Sequence, residues 1–328
     1  MRALGRLLAF IVVAALIGSI WFGYAIFADR SHPASATHLI VARGSSFHDI
    51  ADQLASKSVI GNAFAFRLYA KLFHRDTQVR AGEYKFSPGL RQSEVLDQLL
   101  TGGAQIATWV TFPEGFTARQ IAQRLAGEGF GPASRFSEAF LHDAMSVDGA
   151  RTKNLEGYLF PSTYLIPIGA TPAQVEQVMT SQFFKELPAD ARRRSEAHGL
   201  SIPEVVTIAS LVQQEGKADS ERPLIAGVIY NRLRLHMPLQ VDATLEYTFP
   251  EHRTVILNRD LETDSPYNTY KHEGLPPTPI ANPGAPSLAA AFHPRASAFL
   301  YYVYKGNGHH AFAKTLAEHQ ANVSRYLK

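Results

Sequence analysis

An apolar run without a single charge covers residues 7–28, directly after Arg2 and Arg6. As a helix rising about 1.5 Å per residue it would be roughly 33 Å long, enough to cross a hydrocarbon layer of about 30 Å. The two arginines hold the N-terminus in the cytoplasm by the positive-inside rule and send the rest of the chain across the membrane. Trp21 and Tyr24 fall toward the far end of the run, where amphipathic rings favour the interface. A cleaved signal peptide is the rival reading, because Ala34-Ser35-Ala36 has the small-x-small form of a processing site. A signal's apolar region is usually only about 7 to 15 residues long, so the length favours an uncleaved anchor.

Past a short polar linker at 29–37, the pattern changes to brief apolar runs followed by amphipathic stretches. Gly44, Ile50 and Leu54 recur at the same spacing as Gly89, Val95 and Leu99, and again as Gly115, Ile121 and Leu125. Each glycine follows a strand-like run (39–41, 84–86, 110–112) and precedes a hydroxyl residue suited to capping a helix: Ser45 or Ser46, Ser93, and Thr117. The pattern fits three related strand-turn-helix units, or one general grammar used three times. Residues 38–103 read as strand, helix, a second helix around 64–73, strand, helix. From residue 104 onward a larger mixed α/β region has helices predicted at 117–126, 172–187, 201–216, 220–235, 287–292 and 316–327. Between the fourth and the fifth of these lies the site-sized segment 238–286, rich in turns and aromatics and too long for a structureless connection without a function. The fold class expected is α+β: a transmembrane helix, a small βααβ subdomain, and a larger mixed α/β domain.

Composition narrows the chemistry. With 46% hydrophobic and 19% charged residues the chain folds, and its 23 Gly and 19 Pro follow no collagen-like period. Zero cysteines exclude a disulfide scaffold, a thiolate zinc site, a cysteine nucleophile and an acylated lipoprotein cysteine. The net charge of +3 comes from 32 basic and 29 acidic residues mixed along the chain, so it gives no argument for a nucleic-acid partner.

The segment 201–216 is the best-specified helix. Ser201-Ile202-Pro203-Glu204 has the form of a capping box with proline in the first turn, and Gly216 is placed to end the helix. Its apolar stripe is Val205, Ile208, Ala209, Leu211 and Val212, and the i+3, i+4 and i+7 spacings put Glu215 on that same face. A desolvated carboxyl group there would have a raised pKa and could serve as a general acid on a glycosidic oxygen. Alternatively the helix ends at that point and Glu215 turns to solvent or pairs with Lys217.

Two further features lie in 238–286. Ser265-Pro266-Tyr267-Asn268-Thr269-Tyr270 opens a stretch with six prolines from Pro266 to Pro286. Such a stiff loop suits a binding wall, with Tyr267 and Tyr270 as stacking faces for sugars and Asn268 and Thr269 as hydrogen-bonding edges, although a proline-rich surface loop without a ligand reads the same way. Gln240-Val241-Asp242 adds a carboxylate that, if it faced Glu215, could complete a two-carboxylate glycosidase. No H-E-x-x-H, G-x-S-x-G, Walker loop or G-x-G-x-x-G is present, and His309 and His310 are adjacent rather than spaced as metal ligands, so neither a metal nor a cofactor is expected.

The sequence resembles the endolytic murein transglycosylases of the YceG-like family. The likeness rests on residues 110–115 (VTFPEG), 155–161 (LEGYLFP), 209–212 (ASLV), 231–233 (NRL), 240–242 (QVD), 265–270 (SPYNTY), 274–277 (GLPP) and 309–312 (HHAF). It implies an anchor at 1–28, a linker at 29–37, a LysM-like subdomain at 38–103 and a catalytic transglycosylase domain at 104–328. It also implies location in the bacterial inner membrane, with the catalytic domain on the outer side. The family commonly has E-K-E where Gln213, Gln214 and Glu215 stand here, with the second Glu as catalytic acid, and Asp where Ser162 stands. The resemblance therefore puts the acid on Glu215, while Glu156, Gln240, Asp242 and Asn268 are candidates to steady positive charge on the sugar. Peptidoglycan strands are the implied substrate, and peptidoglycan synthases or proteins of the division and elongation machineries are the candidate partners. A wall-binding scaffold without catalysis and a hydrolytic muramidase are the alternatives.

Overall fold

The apolar run forms one continuous helix, α1 (Arg2–Phe27), whose residues 6–21 are exposed while Ala25 and Ile26 are buried. The computed structural model describes residues 2–30, 33, 35–41, 45–80, 82–102, 107–249 and 256–327. Gly44 and parts of the linker and of the small-x-small motif lie outside them. The chain divides into two units, Met1–Thr108 with Pro167–Gly169, and Trp109–Ile166 with Ala170–Lys328.

In the first unit α1 is followed by β1 (Thr37–Val41), α2 (Phe47–Ser56), α3 (Ala63–Leu72), β2 (Gly82–Phe86) and α4 (Gln92–Thr101). β1 and β2 pair antiparallel, with Thr37 opposite Phe86 and Val41 opposite Gly82. Local chemistry starts the helices: Ser46 Oγ accepts from the Asp49 N–H at 3.1 Å, and Asn62 Oδ1 from the Ala65 N–H at 2.9 Å. Ser93 is not the cap expected of it. It lies inside α4, and the helix is opened instead by the Glu94 carboxylate, which accepts from the Arg91 N–H at 2.7 Å. Leu39, Ile50, Leu54, Phe66, Phe86 and Leu99 share one core, which the buried end of α1 joins.

The second unit starts within β3 (Ala107–Thr111) and continues through α5 (Ala118–Gly127), α6 (Ala133–His142), β4 (Ser146–Val147), β5 (Ala150–Arg151) and β6 (Thr163–Pro167). Then come α7 (Pro172–Glu186), α8 (Ala191–Ala197), α9 (Ile202–Glu215), α10 (Arg222–Arg234), α11 (Asp242–Glu246), α12 (Ala285–Phe292), β7 (Tyr301–Gly306), β8 (His309–Ala313) and α13 (Leu316–Tyr326). Every sheet among the described residues has two strands: β1 with β2, β3 with β6, β4 with β5, and β7 with β8. One core gathers Val110, Ile121, Phe136, Phe140 and Met179 around α5, α6 and α7. The other surrounds α9.

All six helices expected beyond residue 104 form, with ends shifted by a residue or two. The sequence pattern missed α6, α8, α11 and the β7–β8 hairpin. α8 (ARRRSEA) buries only Ala191 and Ser195, and α11 is a five-residue turn of helix, so neither carries a readable apolar stripe. α9 buries Val205, Ile208, Ala209, Leu211 and Val212 as expected, and also Ile202, Val206, Thr207 and Ser210. A helix covered on all sides is the central strut of its unit, and each fully buried Ile, Leu or Val on it contributes about 1.5–3 kcal/mol of transfer free energy.

Candidate active site

Glu215 is the last residue of α9, so the strut that fixes the core also fixes this carboxyl group. The Ser201–Glu204 capping box forms at the other end: Glu204 accepts from the Ser201 N–H at 2.7 Å, and Ser201 Oγ from the Glu204 N–H at 3.4 Å. Gly216 ends the helix by a different route from a left-handed cap, since its φ is −75°. Its value lies in space, because a Cβ there would sit 2.9 Å from Arg222 Cγ and from the Val212 carbonyl oxygen. The first turn after α9 therefore hugs the buried Arg222, whose Nη1 donates to Ser287 Oγ at 2.5 Å. Ser287 in turn donates to Gln213 Oε1 at 2.8 Å, and Gln213 also accepts from the Gly284 N–H.

Glu215 opens into a cavity of about 390 Å³. The walls are Val228, Ile229 and Arg232 of α10, the approach to α11 with Leu239, Gln240 and Asp242, then Tyr270, the hairpin residues Tyr302, Val303, Tyr304 and His310, and His319 of α13. Glu215 is half-buried by surface area, yet protein atoms enclose its carboxyl group, and this burial pushes its pKa above the ordinary carboxylate value. A hydrogen bond from Tyr302 works against that rise, as do the Lys217 and Arg232 charges, while Asp242 adds to it.

Arg232 braces the cavity. Its Nη1 donates to the Leu239 carbonyl at 2.7 Å and its Nε to the Leu300 carbonyl at 2.7 Å, so one guanidinium ties the approach to α11 to the start of the hairpin. It also lies 5.1 Å from the centre of the Tyr301 ring. The hairpin has a second clamp. Glu221 accepts from the His310 N–H and from His310 Nδ1, both at 2.9 Å, and pairs with His309 Nδ1 at 3.1 Å. Burial pushes Glu221 up, but the bonds from His310 and His309 outweigh it and hold its pKa below the usual carboxylate range.

Gln240 sits at φ 53°, a left-handed conformation that costs a non-glycine residue about 1–2 kcal/mol. Thr269 holds it there: its carbonyl accepts from the Gln240 N–H at 3.0 Å and its Oγ1 from the Val241 N–H at 3.0 Å. Beside it, Tyr270 donates to Asp242 Oδ1 at 2.5 Å.

The sequence profile of the YceG-like family matches residues 39–325. This chain belongs to that family. Among its YceG-like relatives, a Bacillus subtilis protein named endolytic murein transglycosylase is 33% identical over 319 residues, spanning 89% of this chain and 85% of that protein. One of the same name from Streptococcus pneumoniae is 30% identical over 98% of this chain, which spans 65% of the relative's length. A crystal structure of a yceG-like protein from Listeria monocytogenes, 31% identical, superposes with a TM-score of 0.59 over 87% of this chain and 98% of that one.

Of the site residues expected in this YceG-like chain, the structure brings Glu215, Gln240, Asp242 and Tyr270 together around the cavity. The other four stand behind the walls. Glu156 is fully buried and accepts from the Ala118 N–H at the start of α5, from Tyr247 Oη and from Asn282 Nδ2. Burial raises its pKa from 4.5 to about 7, against the pull of those donors and of Arg119. Asn268 spends its amide on the Leu261 and Thr263 carbonyls, Thr269 braces residues 240 and 241, and Tyr267 packs on Tyr247 with its hydroxyl 2.7 Å from Thr278 Oγ1. The sequence reading missed Arg232, Tyr302, Tyr304, His310 and His319. The Asn307-Gly308 pair, with φ values of 52° and 76°, is the turn signal that would have revealed the hairpin carrying three of them.

Proposed function

We propose that this chain is an endolytic murein transglycosylase that cuts peptidoglycan strands internally and leaves 1,6-anhydro ends. The reading is supported by family membership and, above all, by one observation: a single enclosed carboxyl group with a raised pKa, Glu215, facing a cavity lined by aromatic and polar side chains. A protonated Glu215 gives its proton to the oxygen linking N-acetylmuramic acid to N-acetylglucosamine as the bond from C1 to that oxygen breaks. The carboxylate left behind then takes the proton from the muramoyl C6 hydroxyl as that oxygen bonds to C1. No water is consumed, and the acid is restored for the next cycle. Asp242, with its Tyr270 partner, and Gln240 are placed to face the positively charged sugar ring, while Glu156, Tyr267, Asn268 and Thr269 act through the loops they fix.

In this proposal residues 1–28 anchor the chain in the bacterial inner membrane, 29–37 link, 38–103 form a LysM-like subdomain, and 104–328 form the catalytic domain on the outer side. The order β1-α2-α3-β2 with its antiparallel pair supports the LysM-like assignment, and the 22-residue apolar stretch Arg6–Phe27 supports the anchor. Peptidoglycan synthases and division or elongation proteins are the proposed partners.

The test is to incubate the protein and its Glu215→Gln variant with uncrosslinked glycan strands and to weigh the products. Anhydro-ended fragments made by the first and not the second carry the proposal. Products one water heavier would make the protein a muramidase, and binding without cleavage would make it a scaffold.

A further inference from the structure

The end of α1 has two uses that compete for the same residues. Its side chains are exposed up to Trp21, but Phe22 packs against the first unit's core, and Ala25 and Ile26 are buried in it. Residues 7–21, the part clear of that core, make only about 22 Å of helix, against a hydrocarbon layer of about 30 Å. The missing length falls on residues 22–27, which pack against α3 and α4 on one side and expose Tyr24 and Phe27 on the other. If α1 spans the membrane, hydrocarbon must reach the level at which the first unit is packed.

The surface found at that contact is apolar. Outside α1, the exposed large hydrophobic side chains described in the first unit are Ile40 on β1, Ile168, and four on or just after α3: Phe64 (62% exposed), Leu68 (39%), Leu72 (62%) and Phe73 (54%). Phe64, Leu68 and Leu72 are four residues apart and form one stripe along α3, opposite the face that buries Phe66, Tyr69 and Ala70. The C-terminal end of α3 lies beside the end of the span, bridged by the buried Tyr69. The exposed Phe27 meets the Tyr69 ring edge-on at 5.6 Å, and Tyr69 meets the exposed Phe73 at 5.2 Å. Lys71 flanks it with a long basic side chain of the kind that reaches up to lipid phosphates.

We propose that the exposed stripe of α3 lies in the outer leaflet of the bilayer, so that α1 and α3 form one membrane-embedded surface. This rests on the reading of α1 as a span. The occupant is lipid rather than another protein, because the exposed end of α3 lies beside the end of α1, at the level that hydrocarbon must reach to cover a full span. Four large apolar side chains so placed each gain transfer free energy and hold the first unit flat against the membrane.

The chain contains no cysteine, so single labelling sites can be introduced cleanly. Full-length Leu68→Cys, Leu72→Cys, Ile11→Cys and Gln53→Cys variants, spin-labelled and reconstituted in phosphatidylethanolamine–phosphatidylglycerol vesicles, are read for collisions with oxygen and with a water-soluble nickel chelate. Ile11 reports the span itself, and the exposed Gln53 on α2 reports water. Labels at 68 and 72 are expected to show an oxygen-to-nickel ratio several-fold above that at 53 and close to that at 11. If 68 and 72 match 53 while 11 is shielded from nickel, the stripe faces water and the proposal fails with the anchor intact. If 11 also matches 53, α1 does not span and both fall.

Discussion

Replacing Tyr302 with Phe removes one hydroxyl from the cavity and leaves the ring packing in place. That hydroxyl hydrogen-bonds Glu215 and is the main contact favouring its ionised form; only burial, acting the other way, has a larger effect on its pKa. A hydrogen bond to a charged group is worth about 1.5–3 kcal/mol, and each pH unit corresponds to about 1.4 kcal/mol, so the pKa of Glu215 should climb by about one to two units. The first chemical step needs the protonated carboxyl group, so kcat/KM falls as pH rises through this pKa. In Tyr302→Phe that alkaline limb moves to higher pH by one to two units, and the rate at the top of the profile drops because giving up the proton in the first step now leaves a less stable carboxylate. The assay is release of anhydro-ended fragments from glycan strands between pH 5 and 9, with circular dichroism to show that the variant is folded. An alkaline limb that stays in place or moves to lower pH would falsify the role given to Tyr302.

Glu156→Gln keeps an acceptor for the Ala118 N–H and removes a buried ionisable group. Because the folded pKa lies near 7 against an ordinary 4.5, the wild type has its full stability below about pH 4.5 and loses it as pH rises through 7. The variant should match the wild type in urea melts at pH 4.5 and exceed it by about 3 kcal/mol above pH 8; equal midpoints at both pH values would refute the assignment. Gln213→Glu preserves an acceptor for Gly284 and Ser287, and Arg222 on the same Ser287 offsets the new charge. Its stability should change by less than about 1 kcal/mol, and a loss of several would show that the amide itself is required. Gly157→Ala places a methyl group 2.5 Å from Pro279 Cγ at a φ of +92°, and should cost more than about 2 kcal/mol in the same melts.

The place of Glu215 at the end of α9 was legible because three local signals agreed: a capping box, a 3.6-residue stripe, and a carboxylate in line with it. With Val206, Thr207 and Ser210 also buried, nearly every direction from α9 is an apolar one, and Glu215 stands out because it ends the helix at a cavity. In 238–286 the segment was legible and the roles were not. Sequence shows that Asn268 and Thr269 offer donors and acceptors, but a stiff buried loop leaves its own backbone groups to satisfy, and both side chains are used up on them. Arg232 lay within the NRL run at 231–233, but its role gave no signal, since a basic residue near the end of a helix is ordinary until the three carbonyls it meets are known.

The β7–β8 hairpin sets an order of events. Glu215 and its whole helix leave the ribosome well before Tyr302 and His310 do, and His319 comes later still. A chain interrupted upstream of residue 301 thus carries Glu215, the proposed proton donor, but lacks a whole side of the chamber around it. Cutting ability is in this way reserved for finished molecules, a useful property in a protein whose target is the wall that keeps the cell from bursting.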